Sequence, residues 1–125
     1  MANPNIGATP IYIYGSNSTI TPANTSATSL VSNAASSGKV YKINTIVVAN
    51  VTSSAATITI NTYTAAALGG TAFPFAYQIS VPPNATLIVC DKTTSFYLLE
   101  DESIGAIVGT ANALTITASW EEINA

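Results

Sequence analysis

Leu114-Thr115-Ile116-Thr117-Ala118-Ser119-Trp120-Glu121 alternates apolar and polar side chains without a slip. A period of two puts Leu114, Ile116, Ala118 and Trp120 on one face of a strand and Thr115, Thr117, Ser119 and Glu121 on the other. The same period runs back through most of the chain. Ile58 and Ile60 alternate with Thr57, Thr59 and Asn61, while Phe75, Tyr77, Ile79 and Val81 alternate with Ala76, Gln78 and Ser80. The second alternation predicts that Phe75 and Tyr77 are buried as core residues. It stops at Pro82-Pro83-Asn84, since proline cannot donate to a sheet ladder.

Working outward, strands are expected over 40–50, 56–64, 75–81, 85–90, 95–99, 103–108 and from 114 onward. Residues 51–55 read as a hairpin loop, and Asp91-Lys92-Thr93-Thr94 and Glu100-Asp101-Glu102 as turns. With Ile11 to Tyr14 this makes about eight short strands and no helical period, the pattern of an all-β, antiparallel β-sandwich, jelly-roll-like.

The first third differs from the rest. Residues 1–38 carry Pro4, Pro10 and Pro22 in a Ser/Thr/Asn/Ala background, and no charge precedes Lys39. They read as an extended N-terminal arm, with the sandwich domain at 39–125. The arm is either laid on a neighbouring subunit or loose as termini often are. In the first case its apolar residues Ile11, Tyr12, Ile13, Tyr14, Leu30 and Val31 are the anchors, because aromatic and apolar side chains with no local core suit an interface.

Composition narrows the chemistry. Of 125 residues, 48% are hydrophobic and only 7% charged, with Thr, Ser and Asn making up about a third. A typical soluble domain is about a quarter charged, so this surface is neutral. There is no His, and the three cations are Lys39, Lys42 and Lys92. A Ser-His-Asp or Cys-His arrangement cannot be assembled, so no catalytic residue, cofactor site or metal site is assigned and an enzyme is not expected. A net charge of −3 cannot supply a phosphate-neutralising surface, which argues against nucleic acid as a partner. Cys90 alone forms no intrachain disulfide and, between Val89 and Asp91 after Leu87-Ile88, reads as a small buried side chain. Met1 to Gly7 lacks a basic start and an apolar run, and no apolar stretch approaches the ~20 residues that span a bilayer. A soluble, cytoplasmically made chain with no membrane partner is expected.

The acidic Glu100-Asp101-Glu102 reads as a solvated turn before it reads as a calcium site, because three consecutive side chains diverge. The aromatics Tyr12, Tyr14, Phe73, Phe75, Tyr77 and Trp120 offer a sugar-stacking platform as the alternative to burial. Asn17, Asn24, Asn50 and Asn84 each begin a glycosylation sequon, which a chain this rich in Asn, Ser and Thr produces by chance.

Four segments carry a family resemblance: Lys42-Ile43-Asn44-Thr45-Ile46-Val47-Val48-Ala49-Asn50; Tyr77-Gln78-Ile79-Ser80-Val81-Pro82-Pro83-Asn84-Ala85-Thr86-Leu87; Asp91-Lys92 with Tyr97-Leu98-Leu99-Glu100; and Thr117-Ala118-Ser119-Trp120-Glu121-Glu122-Ile123. Over about residues 39–123 the chain resembles small virion structural proteins of tailed bacteriophages. Members often carry a Glu-Gly-Asp turn where this chain has Glu100-Asp101-Glu102. The resemblance implies a structural role: a capsid decoration or cement protein on the virion surface, bound to the major capsid protein, forming a homotrimer and made in the host cytoplasm. A tail, neck or fibre component is the alternative, and a carbohydrate-binding β-sandwich module a second one.

Overall fold

The computed structural model describes residues 12–124, and within them the chain forms nine strands. These are β1 (Tyr12–Ile20), β2 (Thr28–Asn33), β3 (Lys39–Asn50), β4 (Ala56–Ala65), β5 (Gly69–Val81), β6 (Thr86–Cys90), β7 (Phe96–Leu98), β8 (Glu102–Val108) and β9 (Leu114–Asn124). They build two packed sheets. One has five strands in the order β1-β9-β3-β6 with β7 also on β3; the other has the order β2-β8-β4-β5. Every pairing is antiparallel.

The order follows from a single long hairpin rolled up. The outgoing strands β1, β2, β3 and β4 pair in turn with the returning strands β9, β8, β6 and β5, and successive rungs fall on opposite sheets. This is the jelly-roll sandwich expected from the sequence. Residues 51–55, expected as a hairpin loop, instead carry the chain from one sheet to the other. The reason is occupancy: β3 already has β9 on one side and β6 and β7 on the other, and β4 lies between β8 and β5.

The expected boundary at 38 is also displaced. β1 pairs with β9 over its whole length, and β2 pairs with β8. Residues 12–33 are therefore part of the sandwich rather than an arm outside it. Leu30 and Val31 are only 4% and 3% exposed, packed in this chain's own core. Deleting 2–38 would strip one strand from each sheet.

The core lies between the sheets, where Ile43, Ile46 and Val48 of β3 meet Ile58 and Ile60 of β4, Ile104 of β8 and Leu114 and Ile116 of β9. These β-branched and Leu side chains suit a pleated, covered face. The alternation of β9 holds as read: Leu114, Ile116 and Ala118 are buried, and Trp120 stacks on Tyr41 with ring centroids 5.9 Å apart. Two buried asparagines tie the sheets together. Asn33 of β2 donates from Nδ2 to the carbonyls of Lys39 (3.0 Å) and Leu98 (3.3 Å), while its Oδ1 accepts from Ser37 Oγ at 2.6 Å. Asn50 of β3 donates to the carbonyls of Ser54 (2.8 Å) and Val81 (3.0 Å), and accepts from the Thr52 amide at 2.9 Å. With their hydrogen-bonding groups satisfied, these buried amides cost little and fix how the sheets sit.

Candidate interaction surface

Strand β5 reads Gly69-Gly70-Thr71-Ala72-Phe73-Pro74-Phe75-Ala76-Tyr77-Gln78-Ile79-Ser80-Val81, without a charged residue. It is an edge strand, held by β4 alone within its sheet. Three register shifts interrupt that pairing, and Gln78 takes φ +47° with its amide donating to Thr59 Oγ1 at 3.0 Å. Bulges of this kind re-aim side chains. Phe73, Phe75, Tyr77 and Ile79 are consequently 57%, 38%, 63% and 41% exposed, and only Val81 of the alternating set is buried. The expected burial of Phe75 and Tyr77 is thus corrected: the bulges break the alternation, setting Ala76 and Ile79, three residues apart, opposite the core residues Ile60 and Ile58, and an edge strand has too little sheet beside it to cover the aromatics.

The neighbouring β6 and β7 extend this flank. Phe75 packs on Phe96 with centroids 5.0 Å apart and a 31° tilt, while Tyr97 and Ile88 stand exposed nearby in sequence on β7 and β6. A shallow cleft of about 220 Å³ opens among Thr62, Thr64, Phe73, Phe96, Tyr97 and Glu102. Glu102 enters it already engaged, its Oε1 accepting the Leu99 amide at 2.8 Å.

The expected anchors do not converge here. Ile13 and Tyr14 lie exposed on β1, 54% and 53%, at the outer edge of the other sheet; Tyr12 belongs to the same strand. Ile11 lies outside the described residues. Leu30 and Val31 are buried and offer no surface to a partner.

The acidic turn braces the loops around it. Asp101, at φ +58°, occupies the left-handed position that glycine or Asp tolerates, and its Oδ1 accepts the Ala66 amide at 3.0 Å. Glu102 faces the cleft, so the carboxylates diverge, but Glu100 is buried, which corrects the expectation of a solvated turn. Among the described residues no group of three His, Cys, Asp or Glu side chains is placed to hold a metal ion. Cys90 is 1% exposed, and burial pushes its thiol pKa up. Asp91 beside it is held below the usual carboxylate range, because it accepts hydrogen bonds from the Thr93 hydroxyl and amide.

No protein-family model matches the sequence, and no curated protein does. Among solved structures, a chain from Bacillus endospore appendages, a family of disulfide-linked pili, superposes with a TM-score of 0.50 at 19% identity, over 90% of this chain and 87% of that one. A chain of infectious bursal disease virus, Gx strain, superposes with a TM-score of 0.46 at 13% identity; it matches 97% of this chain, which spans 37% of that one. At 19% identity the likeness to the appendage chain is one of fold alone.

Proposed function

We propose that the chain is a non-enzymatic structural subunit of a virion, a decoration or cement protein that binds the outside of the major capsid protein lattice and stabilises the head. The uncharged aromatic flank of β5 carries this reading. Phe73, Phe75, Tyr77 and Ile79 stand exposed along one uncharged edge strand, and Phe and Tyr are the side chains enriched where protein contacts close. The composition supports it: a neutral, Thr/Ser/Asn-rich surface suits close packing against many identical neighbours. Bridging junctions between shell subunits adds contact that must be broken before the shell opens, which stabilises the closed state by mass action. A closed cyclic homo-oligomer, a trimer at threefold positions, is the assembly this reading expects.

The test is the copy number relative to the major capsid protein in purified particles, by quantitative mass spectrometry, for the wild-type chain and for Phe73→Ser/Tyr77→Ser. Hundreds of wild-type copies and loss of the variant, with an unchanged melting temperature, are expected. Copies in small multiples of about three, six or twelve move the protein to a tail, neck or fibre, where rotational symmetry sets the count. Absence from particles removes the reading.

The cleft beside β5 favours a second reading. Aromatic faces at Phe73 and Tyr97 with the Thr62 and Thr64 hydroxyls and a carboxylate form a set that suits a sugar ring. Retention on host-surface polysaccharide, lost in Tyr97→Ala, would favour a carbohydrate-binding module instead.

A further inference from the structure

An edge strand leaves every second N–H and C=O pointing outward, a template for another strand, and proteins blunt such edges with charge, proline, bulges or shortness. The sandwich has lateral edges at β1 and β2 on one flank and at β5, β6 and β7 on the other. Among the described residues, all but one are blunted. β2 is six residues long and its register shifts between Ser29 and Val31. β5 carries Pro74, which has no N–H, and three register shifts. β6 and β7 are five and three residues, split by a 3₁₀ turn at Lys92–Thr94. β1 has none of these devices. It runs nine residues without proline or charge, and its register against β9 is unbroken from Tyr12 opposite Asn124 to Ile20 opposite Ile116.

We propose that β1 pairs antiparallel with β1 of a second copy across a twofold axis, joining two five-stranded sheets into one continuous sheet. A head-to-tail contact needs a second open edge, which the described residues do not provide; a twofold contact needs only this one. Charge permits it as well. Neither strand brings a charge to the seam, and the two β9 carboxylates beside β1 are already met: Glu122, opposite Tyr14, by Lys39 Nζ at 3.8 Å and Ser16 Oγ at 2.9 Å, and Glu121, opposite Gly15, by Asn44 Nδ2 at 3.2 Å. Full overlap of the nine residues centres the register on Ser16. It sets Ile13 against Thr19, a β-branched pair of the kind that stabilises sheets, with Tyr14 against Ser18 and Gly15 against Asn17 across the seam. The seam lies on the flank away from β5, so the aromatic surface stays open to a different partner.

Sedimentation of the full chain tests this, with the melting temperature followed in parallel. Gly15 has open space where a Cβ would stand and Asn17 is exposed, so Gly15→Lys/Asn17→Lys leaves the sandwich intact while placing like charges opposite each other twice. The wild type is expected to contain an even number of 12.8 kDa chains, two, or six where twofold seams join two of the trimers proposed above, and the double variant half as many, its dissociation constant raised by roughly tenfold or more. Gly15→Lys/Asn17→Glu pairs opposite charges across the same seam and is expected to restore the wild-type mass. A wild type that stays monomeric at hundreds of micromolar, an odd number of chains, or a mass the like-charge pair does not change overturns the proposal. Amide exchange of residues 12–20 in the wild type, slower at high concentration than at low, supports it independently of any variant, and equal rates overturn it.

Discussion

Tyr41 shows how one residue's surroundings set a pH dependence for the whole fold. Its ring stacks on Trp120 and its hydroxyl lies by the Glu122 carboxylate. Burial first, and then the hydrogen bond and charge of Glu122, push its pKa up to about 12 from an ordinary 10.0. The folded state therefore holds the phenol proton more tightly than the unfolded chain does. The stabilisation is fully present below pH ~10 and is lost as pH rises from there through about 12, a change on the order of 2 kcal/mol. Urea midpoints between pH 9 and pH 12 measure it, with Tyr41→Phe as the control for lysine deprotonation. A wild type that weakens no more than Tyr41→Phe across that range would show that the phenol remains solvated.

At the scale of elements, the strands were legible and their neighbours were not. β3, β4, β6, β8 and β9 start and stop within a few residues of where alternation and turn residues place them, because a period of two is a property of the local chain. Which side of a strand is covered is not local. The Phe75 to Val81 alternation says that two faces differ, and only the pairing reveals that bulges interrupt it and that β5 stands at an edge with its aromatics exposed. Beyond Tyr14 β1 escaped because Gly15, Ser16, Asn17 and Ser18 dilute its alternation, although pairing with β9 recruits it regardless. The acidic turn and the tip of the β4–β5 hairpin are one assembly. Gly69 N–H donates to Ala66 O at 3.1 Å, closing a turn whose central residues Ala67 and Leu68 have φ of +55° and +61°. Both belong to the mirror-image class of turn that favours Asn-Gly. What holds them is three consecutive amides: Ala66 donates to Asp101, Ala67 to Ser32 and Leu68 to Ser103, at 3.0, 3.0 and 2.9 Å. Leu68 also lies where Gly105 must stay small, since a Cβ there would stand 2.7 Å from Leu68 Cδ2. Ala67→Gly relieves the left-handed strain at an exposed site and should raise stability by roughly 0.5 to 1 kcal/mol, net of unfolded-state entropy. A calorimetric melting temperature that falls instead would mean that the three amides, not the turn's own preference, set its energy.

Across the whole molecule, the rolled hairpin brings the two ends of the described chain together: Tyr12 lies opposite Asn124, and both sheets contain strands from each half. No part of the core can be exposed by peeling a local segment without breaking pairings distant in sequence, so access to the interior requires opening of the sandwich. Cys90 reports on this directly. It sits at the end of β6 among core residues, 1% exposed, with Sγ 3.6 Å from the Thr94 carbonyl oxygen. Only the thiolate attacks a disulfide reagent, and burial both raises the thiol pKa and blocks approach. Native protein at pH 8 should therefore react with an aromatic disulfide reagent at a rate set by opening, at least ~100-fold slower than protein in denaturant, as expected when only a small open fraction reacts. The same burial predicts that any oligomer keeps its mass in excess dithiothreitol, because a covalent link between folded copies would need Cys90 at the surface. Fast labelling of the native chain, or oligomers that fall apart on reduction, would mean that the β6 edge opens far more readily than the rest of the sandwich and that this flank is the part of the molecule that moves on assembly.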